Sequence, residues 1–402
     1  MRARFLLNLI FIFSILETRS SFALSLEEAM QMAFAQAPHL EASEKLNQIS
    51  KSDLWRHFIP NSPSFQYSRI DSDSTDSFAL TQNLGFPGKT FFEHPLYQAN
   101  SRQAQAELEA NRYDLSQTIL QSYLDCALAD ENNRLLEKNV ENAEMLTKTM
   151  TSRYESGASS MPELISSELQ VRQLRSDLSL SQDKKKNSCQ KLSALLGKEL
   201  PLDEKYALPD DLPQEVLDRI GVAESADELR AKADLQKAQA VYKTAWVNGL
   251  PDLSFNYSRN HYRIEMASPN GDTWTHSYGI SIATPLFYFF HENAENRKTK
   301  NQAIIDQYQA QLRLITGKAS HQDAALEYKR SKKRLTELRN KDLAMAEALV
   351  ESTLSAYKTA KLGFAELVMA QKTLSDLKTQ DLQLRVSVIS SHLRCLQDCY
   401  EK

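Results

Sequence analysis

The chain has 402 residues, 42% hydrophobic and 25% charged, with a formal net charge of −4, which excludes both a disordered polypeptide and a bundle of apolar membrane helices. It holds only 10 Gly and 12 Pro: no Gly lies between Gly88 and Gly157, no Pro between Pro95 and Pro162, and none after Pro285. Sheets, sandwiches and barrel enzymes that turn about every ten residues need more breakers than this, so long helices remain.

Arg2 and Arg4 precede the apolar run from Phe5 to Leu16, and Ser21-Phe22-Ala23 fits a small-x-small cleavage site. This is the pattern of a secretory signal peptide over residues 1–23. A run of about 12 residues falls short of the roughly 20 that a spanning helix needs, and no Cys follows it to indicate a lipid anchor. Three arginines and one glutamate leave with the signal, so the mature charge is −6, which gives no electrostatic reason to expect nucleic acid.

Residues 25–57 read as an amphipathic helix, with Ser25 and Glu28 forming a capping box and Pro60 and Pro63 ending it. From Ser64 the period becomes two: Phe65 and Tyr67 face one way, Ser64, Gln66 and Ser68 the other. With residues 77–84 beyond Asp71-Ser72-Asp73-Ser74, this predicts a β-hairpin at about 64–84. A breaker-poor helix then covers about 92–155, roughly 100 Å at 1.5 Å per residue. A tip at about 156–163 leads into a returning helix, 161–196, with Gly197 at its C′ position.

The same order then repeats. Ser64-Phe65-Gln66-Tyr67-Ser68 returns 190 residues later as Ser254-Phe255-Asn256-Tyr257-Ser258, and Phe78-Ala79-Leu80-Thr81 resembles Tyr278-Gly279-Ile280-Ser281. Val140, Ala143, Leu146, Tyr154 and Glu163-Leu164 match Leu343, Ala346, Leu349, Tyr357 and Glu366-Leu367, all 203 on. Two tandem repeats, 24–200 and 222–402, are therefore expected, with a linker at 201–221 that holds Pro201, Pro209 and Pro213. The second contains a hairpin at about 252–284, a long helix at about 290–356, a tip at about 359–366 and a returning helix at 364–400. Gly317 is the one breaker inside a long helix, where a bend is expected. In each repeat the two shorter helices together equal the long one, so they could lie end to end beside it. Thr273 to His291 carries no formal charge, but the alternation of Trp274, His276, Tyr278, Ile280 and Ile282 before Pro285 marks a strand, not a membrane helix. Phe287-Tyr288-Phe289-Phe290, like Phe86, Phe91 and Phe92, falls where strand becomes helix, as an interfacial girdle or as packing at the helix entry.

Strands of this length are long enough for an outer membrane. Four strands cannot close, and an open edge is forbidden in lipid, so the hairpins would pair between subunits. Three subunits would make a 12-stranded barrel above a helical tube. A soluble β-layer capping a coiled coil fits the same pattern.

The order helix–β-hairpin–long helix–turn–helix, repeated behind a signal peptide, resembles the TolC family of outer-membrane efflux channels. Leu24-Ser25-Leu26-Glu27-Glu28-Ala29 with Pro38 resembles the family's opening helix. Gln82-Asn83-Leu84-Gly85-Phe86-Pro87-Gly88-Lys89 resembles the segment leaving its first hairpin, in a form common among metal exporters. Arg153-Tyr154 with Gly157, Glu163 and Leu164 resembles its helix tip, and Leu195-Leu196-Gly197 its repeat end.

The resemblance implies a mainly α fold with a small membrane β-barrel, assembled as a homotrimer in the outer membrane. It also implies docking of the periplasmic tips to an adaptor and an inner-membrane pump, and passive conduction of small molecules or metal ions in a tripartite efflux or type I secretion system. Gly157, Glu163, Leu164, Glu366 and Leu367 match the tip positions, with Glu366 where the family often places an acidic ring constricting the aperture. Helix-dipole compensation explains Glu163 and Glu366 equally well. Leu362 and Met369 replace residues that form gating ion pairs in some members, and Ala360 replaces the second tip glycine, so a salt-bridge lock is not expected. Ser64, Gln66, Ser68, Asn256 and Ser258 would line the lumen, the opposite faces would meet outer-membrane lipid, and seams such as Val140, Ala143 and Leu146 would join helices.

Cys126 and Cys189 lie symmetrically about the first tip, at one height on antiparallel helices, and are a candidate disulfide in an exported chain. Cys395 and Cys399, one helical turn apart with His392 nearby, read as packing before metal. The eight His are scattered, and no HExxH, GxSxG, CxxC or P-loop occurs. No catalytic constellation, cofactor or metal site is expected, and Lys184-Lys185-Lys186 and Lys332-Lys333-Arg334 read as solvated helix faces. The rival reading is a soluble periplasmic coiled-coil adaptor or scaffold, which would call for a lipoyl-like β-domain that is not visible.

Overall fold

The computed structural model describes residues 24–70, 75–86, 88–200, 206–213, 216, 224–263, 272–283, 292–359, 361–395 and 399. The signal peptide, most of the 201–221 linker, the hairpin loops, Pro87, Ala360 and the aromatic run 287–290 lie outside the described residues. The chain divides into two compact units that cut across the two repeats: Met1–Ala37, Tyr113–Ala223 and Ser320–Lys402 form one, and Pro38–Arg112 with Glu224–Ala319 form the other.

The opening segment is two helices, α1 (Leu26–Gln36) and α2 (Pro38–Arg56), where the sequence reads as one. Ser25 caps α1 reciprocally: the Glu28 N–H donates to Ser25 Oγ and the Ser25 N–H to Glu28 Oε2, both at 3.2 Å. Proline forces the break. The residue before a proline is pushed out of helical geometry, and Ala37 is extended at φ −80°, ψ 101°, while Pro38 opens the next helix at the one position where its missing N–H costs nothing.

Strands β1 (Ser64–Ile70) and β2 (Thr75–Asn83) precede α3 (Lys89–Glu155), a 67-residue helix. Helix α4 (Met161–Leu196) returns and stops at Gly197, whose φ of 62° is a left-handed value that side chains resist. Any Cβ there would also collide with Gln36 Oε1. Cys126 on α3 and Cys189 on α4 are joined by a disulfide and are both buried. A second disulfide links Cys395 and Cys399.

In the second repeat, α5 (Ala226–Thr244) passes through a 3-10 turn (Ala245–Gly249) into β3 (Asp252–Arg263) and β4 (Asp272–Ala283). The long helix that follows is not continuous. It runs as α6 (Glu292–Glu337), one π turn (Leu338–Asp342) and α7 (Leu343–Lys358), before α8 (Phe364–Cys395). Gly317 lies inside α6, whose helical hydrogen bonding runs through it without a break. A Cβ at Gly317 would sit 3.2 Å from Glu228 Cγ, so the missing side chain serves close approach of α5.

The π turn carries Arg339, which donates through Nε to Asp381 Oδ1 (2.7 Å) and through Nη2 to Asp210 Oδ1 (2.8 Å). Arg385 pairs with the same two carboxylates, at 2.8 Å from Asp381 and 3.4 Å from Asp210. Asp211 beside them accepts from Tyr328 OH and Lys332 Nζ, both at 2.9 Å, and lies 2.6 Å from His392 Nδ1. Burial pushes the Asp211 carboxyl up, but these donors and the Leu212 N–H outweigh it and hold it well below the usual carboxylate range. The hydrogen bonds that Lys332 donates to Tyr328 and Asp211 raise its pKa to about 12. Two adjacent linker aspartates thus staple α6, the π turn and α8 together.

The four strands form one antiparallel sheet in the order β1-β2-β3-β4, so the two hairpins pair through β2 and β3. Among the described residues no helix is long and apolar enough to cross a membrane.

Candidate functional site

The register divides the sheet into two chemically distinct faces. Ser64, Gln66 and Ser68 of β1 align with Thr81, Ala79 and Ser77 of β2, then with Asn256, Ser258 and Asn260 of β3, and these with Gly279, Ser277 and Thr275 of β4. These twelve residues are all small or polar, and the five residues read from sequence as lumen-facing are among them. Cross-strand bonds tie it together, with Ser77 Oγ to Asn260 Oδ1 and Asn256 Nδ2 to Ser281 Oγ both at 2.6 Å.

The opposite face carries Phe65, Tyr67, Phe78, Leu80, Phe255, Tyr257, Tyr278, Ile280 and Ile282. Its rings meet across strands, with Tyr67 and Phe78 centroids 5.0 Å apart and Tyr257 and Tyr278 5.2 Å apart. Yet the face is open: Phe65 is 69%, Tyr278 72% and Ile280 73% exposed. A water-facing sheet does not expose its apolar side and cover it with nothing. Charge on this face gathers at the end nearer the hairpin loops. There the Arg259 guanidinium lies 3.8 Å from the Trp274 ring, and Tyr67 OH donates to Asp76 at 3.0 Å. An aromatic and basic belt of this kind suits a lipid–water boundary. Strands β1 and β4 each have one neighbour in the described sheet, leaving two free edges.

The helix tips lie in the other unit. Gly157 turns the first tip at φ 76°, closed by the Gly157 N–H to Tyr154 O (3.0 Å) and the Ala158 N–H to Arg153 O (2.7 Å). Glu163 receives the Ser160 N–H at 3.0 Å and the Ser159 hydroxyl at 2.9 Å. The backbone bond first, then the Ser159 hydroxyl, lowers its pKa from the ordinary 4.5. Glu163 is thus occupied in starting α4, which favours the helix-start explanation for this residue. Glu366 sits in the first turn of α8, exposed, with Oε2 over the Gly363 backbone.

Leu164 and Leu367 are not surface residues. Both are buried, Leu367 completely, in a cluster with Met150, Tyr357 and Phe364 that locks the two tips of one chain together. Around them the tips expose the apolar side chains of Met161, Ile165, Leu362 and Met369. Arg153 closes the cluster from outside, 4.8 Å over the Tyr357 ring and donating to Tyr357 O at 3.4 Å. The repeat treats Tyr154 and Tyr357 as equivalents, yet Tyr154 is 41% exposed and Tyr357 4%. Sequence reasoning missed this asymmetry. The available signal was that Arg153 has only Ala356 as its counterpart 203 residues on.

A depressed carboxylate pKa contributes stability that is present above the unfolded value and fades as pH falls below about 4.5 through the lowered folded value. Amide exchange at residues 160–166 should therefore accelerate between neutral pH and pH ~3 beyond the intrinsic rate. Glu163→Gln should flatten that dependence while costing the cap no more than about 1 kcal/mol. An unchanged pH profile in the variant would remove Glu163 from this role. Among the described residues no group of three His, Cys, Asp or Glu is placed to hold a metal ion.

Residues 61–198 match the family model for the outer membrane efflux protein. Over 339 residues, covering 79% of this chain and 68% of the relative, the sequence is 22% identical to the pyoverdine export outer membrane protein OpmQ of Pseudomonas aeruginosa. The fold is similar to that of the outer membrane protein VceC of Vibrio cholerae, with a TM-score of 0.74 at 14% identity over 93% of this chain and 95% of the other. It is equally similar to the CmeC outer membrane channel of Campylobacter jejuni, with a TM-score of 0.74 at 14% identity over 92% and 84%.

Proposed function

We infer that this chain, whose residues 61–198 match the family model for the outer membrane efflux protein, is a member of that family and the outer-membrane channel of a tripartite efflux system. One observation carries the reading furthest: a four-stranded sheet with an exposed apolar face, an opposite face of mainly small and polar residues, and a free edge on each side. In lipid every strand edge must be paired. Three copies joined β1 to β4 satisfy that requirement as a 12-stranded barrel. The apolar face then meets lipid, and Ser64, Gln66, Ser68, Asn256 and Ser258 line water. On this reading transport through the channel is passive and an inner-membrane pump drives it.

The tips are the docking end for a periplasmic adaptor. Gly157 shapes the turn, the exposed Met161, Ile165, Leu362 and Met369 offer apolar contact, and Leu164 and Leu367 hold the tips in register from beneath. Glu366, repeated three times around an axis, places an acidic ring at the aperture. The pyoverdine exporter among the relatives favours small-molecule cargo.

Membrane fractionation tests the reading. A heat-resistant trimer in the outer-membrane fraction is the expected result, together with greater sensitivity of a deletion strain to small toxic compounds. Recovery as a soluble periplasmic monomer would overturn it in favour of an adaptor or scaffold.

A further inference from the structure

A cavity of about 540 Å³ lies where the strand ends meet the helices of the same unit, bounded by the end of α2, the ends of β2 and β3 and the first turns of α3. Its wall is unusual in carrying both signs of charge at close quarters. Arg56 and Lys89 supply cations, while Asp53, Glu93 and Asp252 supply carboxylates. Lys89 is 3.5 Å from Asp252, whereas the side chains of Asp53, Arg56 and Glu93 have no ion-pair partner among the described residues. Burial, then the charges of Glu93 and Asp53, raises the pKa of Tyr97 in the same wall. His57 stacks on Tyr97 with ring centroids 4.3 Å apart, and its Nε2 is buried with no hydrogen-bond partner. Beside the opening, Ile59 is 69% exposed and Leu84 50%.

We propose that this cavity binds the headgroup of a zwitterionic glycerophospholipid bearing a primary ammonium, a phosphoethanolamine lipid of the periplasm-facing leaflet. The proposal rests on the channel reading, which puts the strand ends at the level of that leaflet's headgroups. A purely anionic headgroup would meet Asp53 and Glu93 unfavourably, and a purely cationic ligand would meet Arg56 and Lys89. A phosphodiester and an ammonium a few ångströms apart satisfy both pairs. A primary ammonium donates three hydrogen bonds to carboxylates, which a quaternary one cannot. Ile59 and Leu84 receive the first methylenes of the acyl chains.

Native mass spectrometry of the full-length protein, released from nanodiscs of equal phosphatidylethanolamine and phosphatidylglycerol, reads the bound lipid directly. Wild type should retain phosphatidylethanolamine preferentially, at up to one per chain. Arg56→Gln and Glu93→Gln should each lower that retention about tenfold, the loss of one charge-assisted hydrogen bond, with trimer mass unchanged. Equal retention of the two lipids, or unchanged retention in both variants, would overturn the proposal. Failure to reach the outer membrane at all would instead count against the channel reading.

Discussion

Ile280→Lys is expected to abolish accumulation in the outer membrane, whereas Ser258→Lys, one strand away, is expected to leave insertion intact and change conduction. The two residues sit on opposite faces of the same sheet, and only one face is apolar. A lysine on the lipid side of a barrel costs about 2–4 kcal/mol near the midplane, and a trimer meets that cost three times over. Ser258 is flanked by Ala79 and Ser277 on a face of hydroxyls and amides, where an ammonium stays in water. Outer-membrane fractions and single-channel conductance separate the two. Equal loss of both variants, or equal insertion of both, would overturn the assignment of the two faces.

Replacing Cys126 and Cys189 by serine should destabilise the protein by about 4 kcal/mol, because the bond closes a long loop in the unfolded chain. Their sequence separation is 63 residues and both sulfurs are buried, so the bridge also fastens the long helix to its return. The variant's guanidinium midpoint should fall markedly, with little change in helix content at low denaturant. Alkylation of the denatured wild type without reductant should find no free thiols, and with reductant four. Free thiols at Cys126 and Cys189 in protein recovered from the periplasm would refute the bridge.

How much of this was legible in the sequence depended on whether local chemistry or tertiary contact decided the outcome. Helix α4 appears at its expected bounds because Ser160, Glu163 and Gly197 mark both ends locally. The sheet faces follow from a period of two that no other element imitates. The break at Pro38 was also written locally, but the amphipathic pattern running through it masked it. The π turn had no local sign at all. No Gly or Pro lies in Leu338–Asp342, and what fixes Arg339 there is a pair of aspartates 129 and 42 residues away in sequence. The burial of Leu164 and Leu367 was hidden for the same reason, since the repeat shows that two residues are alike but not that they face each other.

The strand lengths set where a closed barrel is weakest. Strand β1 forms seven register pairs with β2, while β3 and β4 form twelve with each other. A seam built from β1 of one copy and β4 of the next can therefore hold no more than seven rungs, and the rest of β4 extends past it. In a ring closed this way each junction would be no longer than the β1–β2 hairpin and shorter than the β3–β4 hairpin. Heat or detergent would then act first along β1, at the junction or at its pairing with β2, and the β3–β4 hairpin would be the last part of the ring to open.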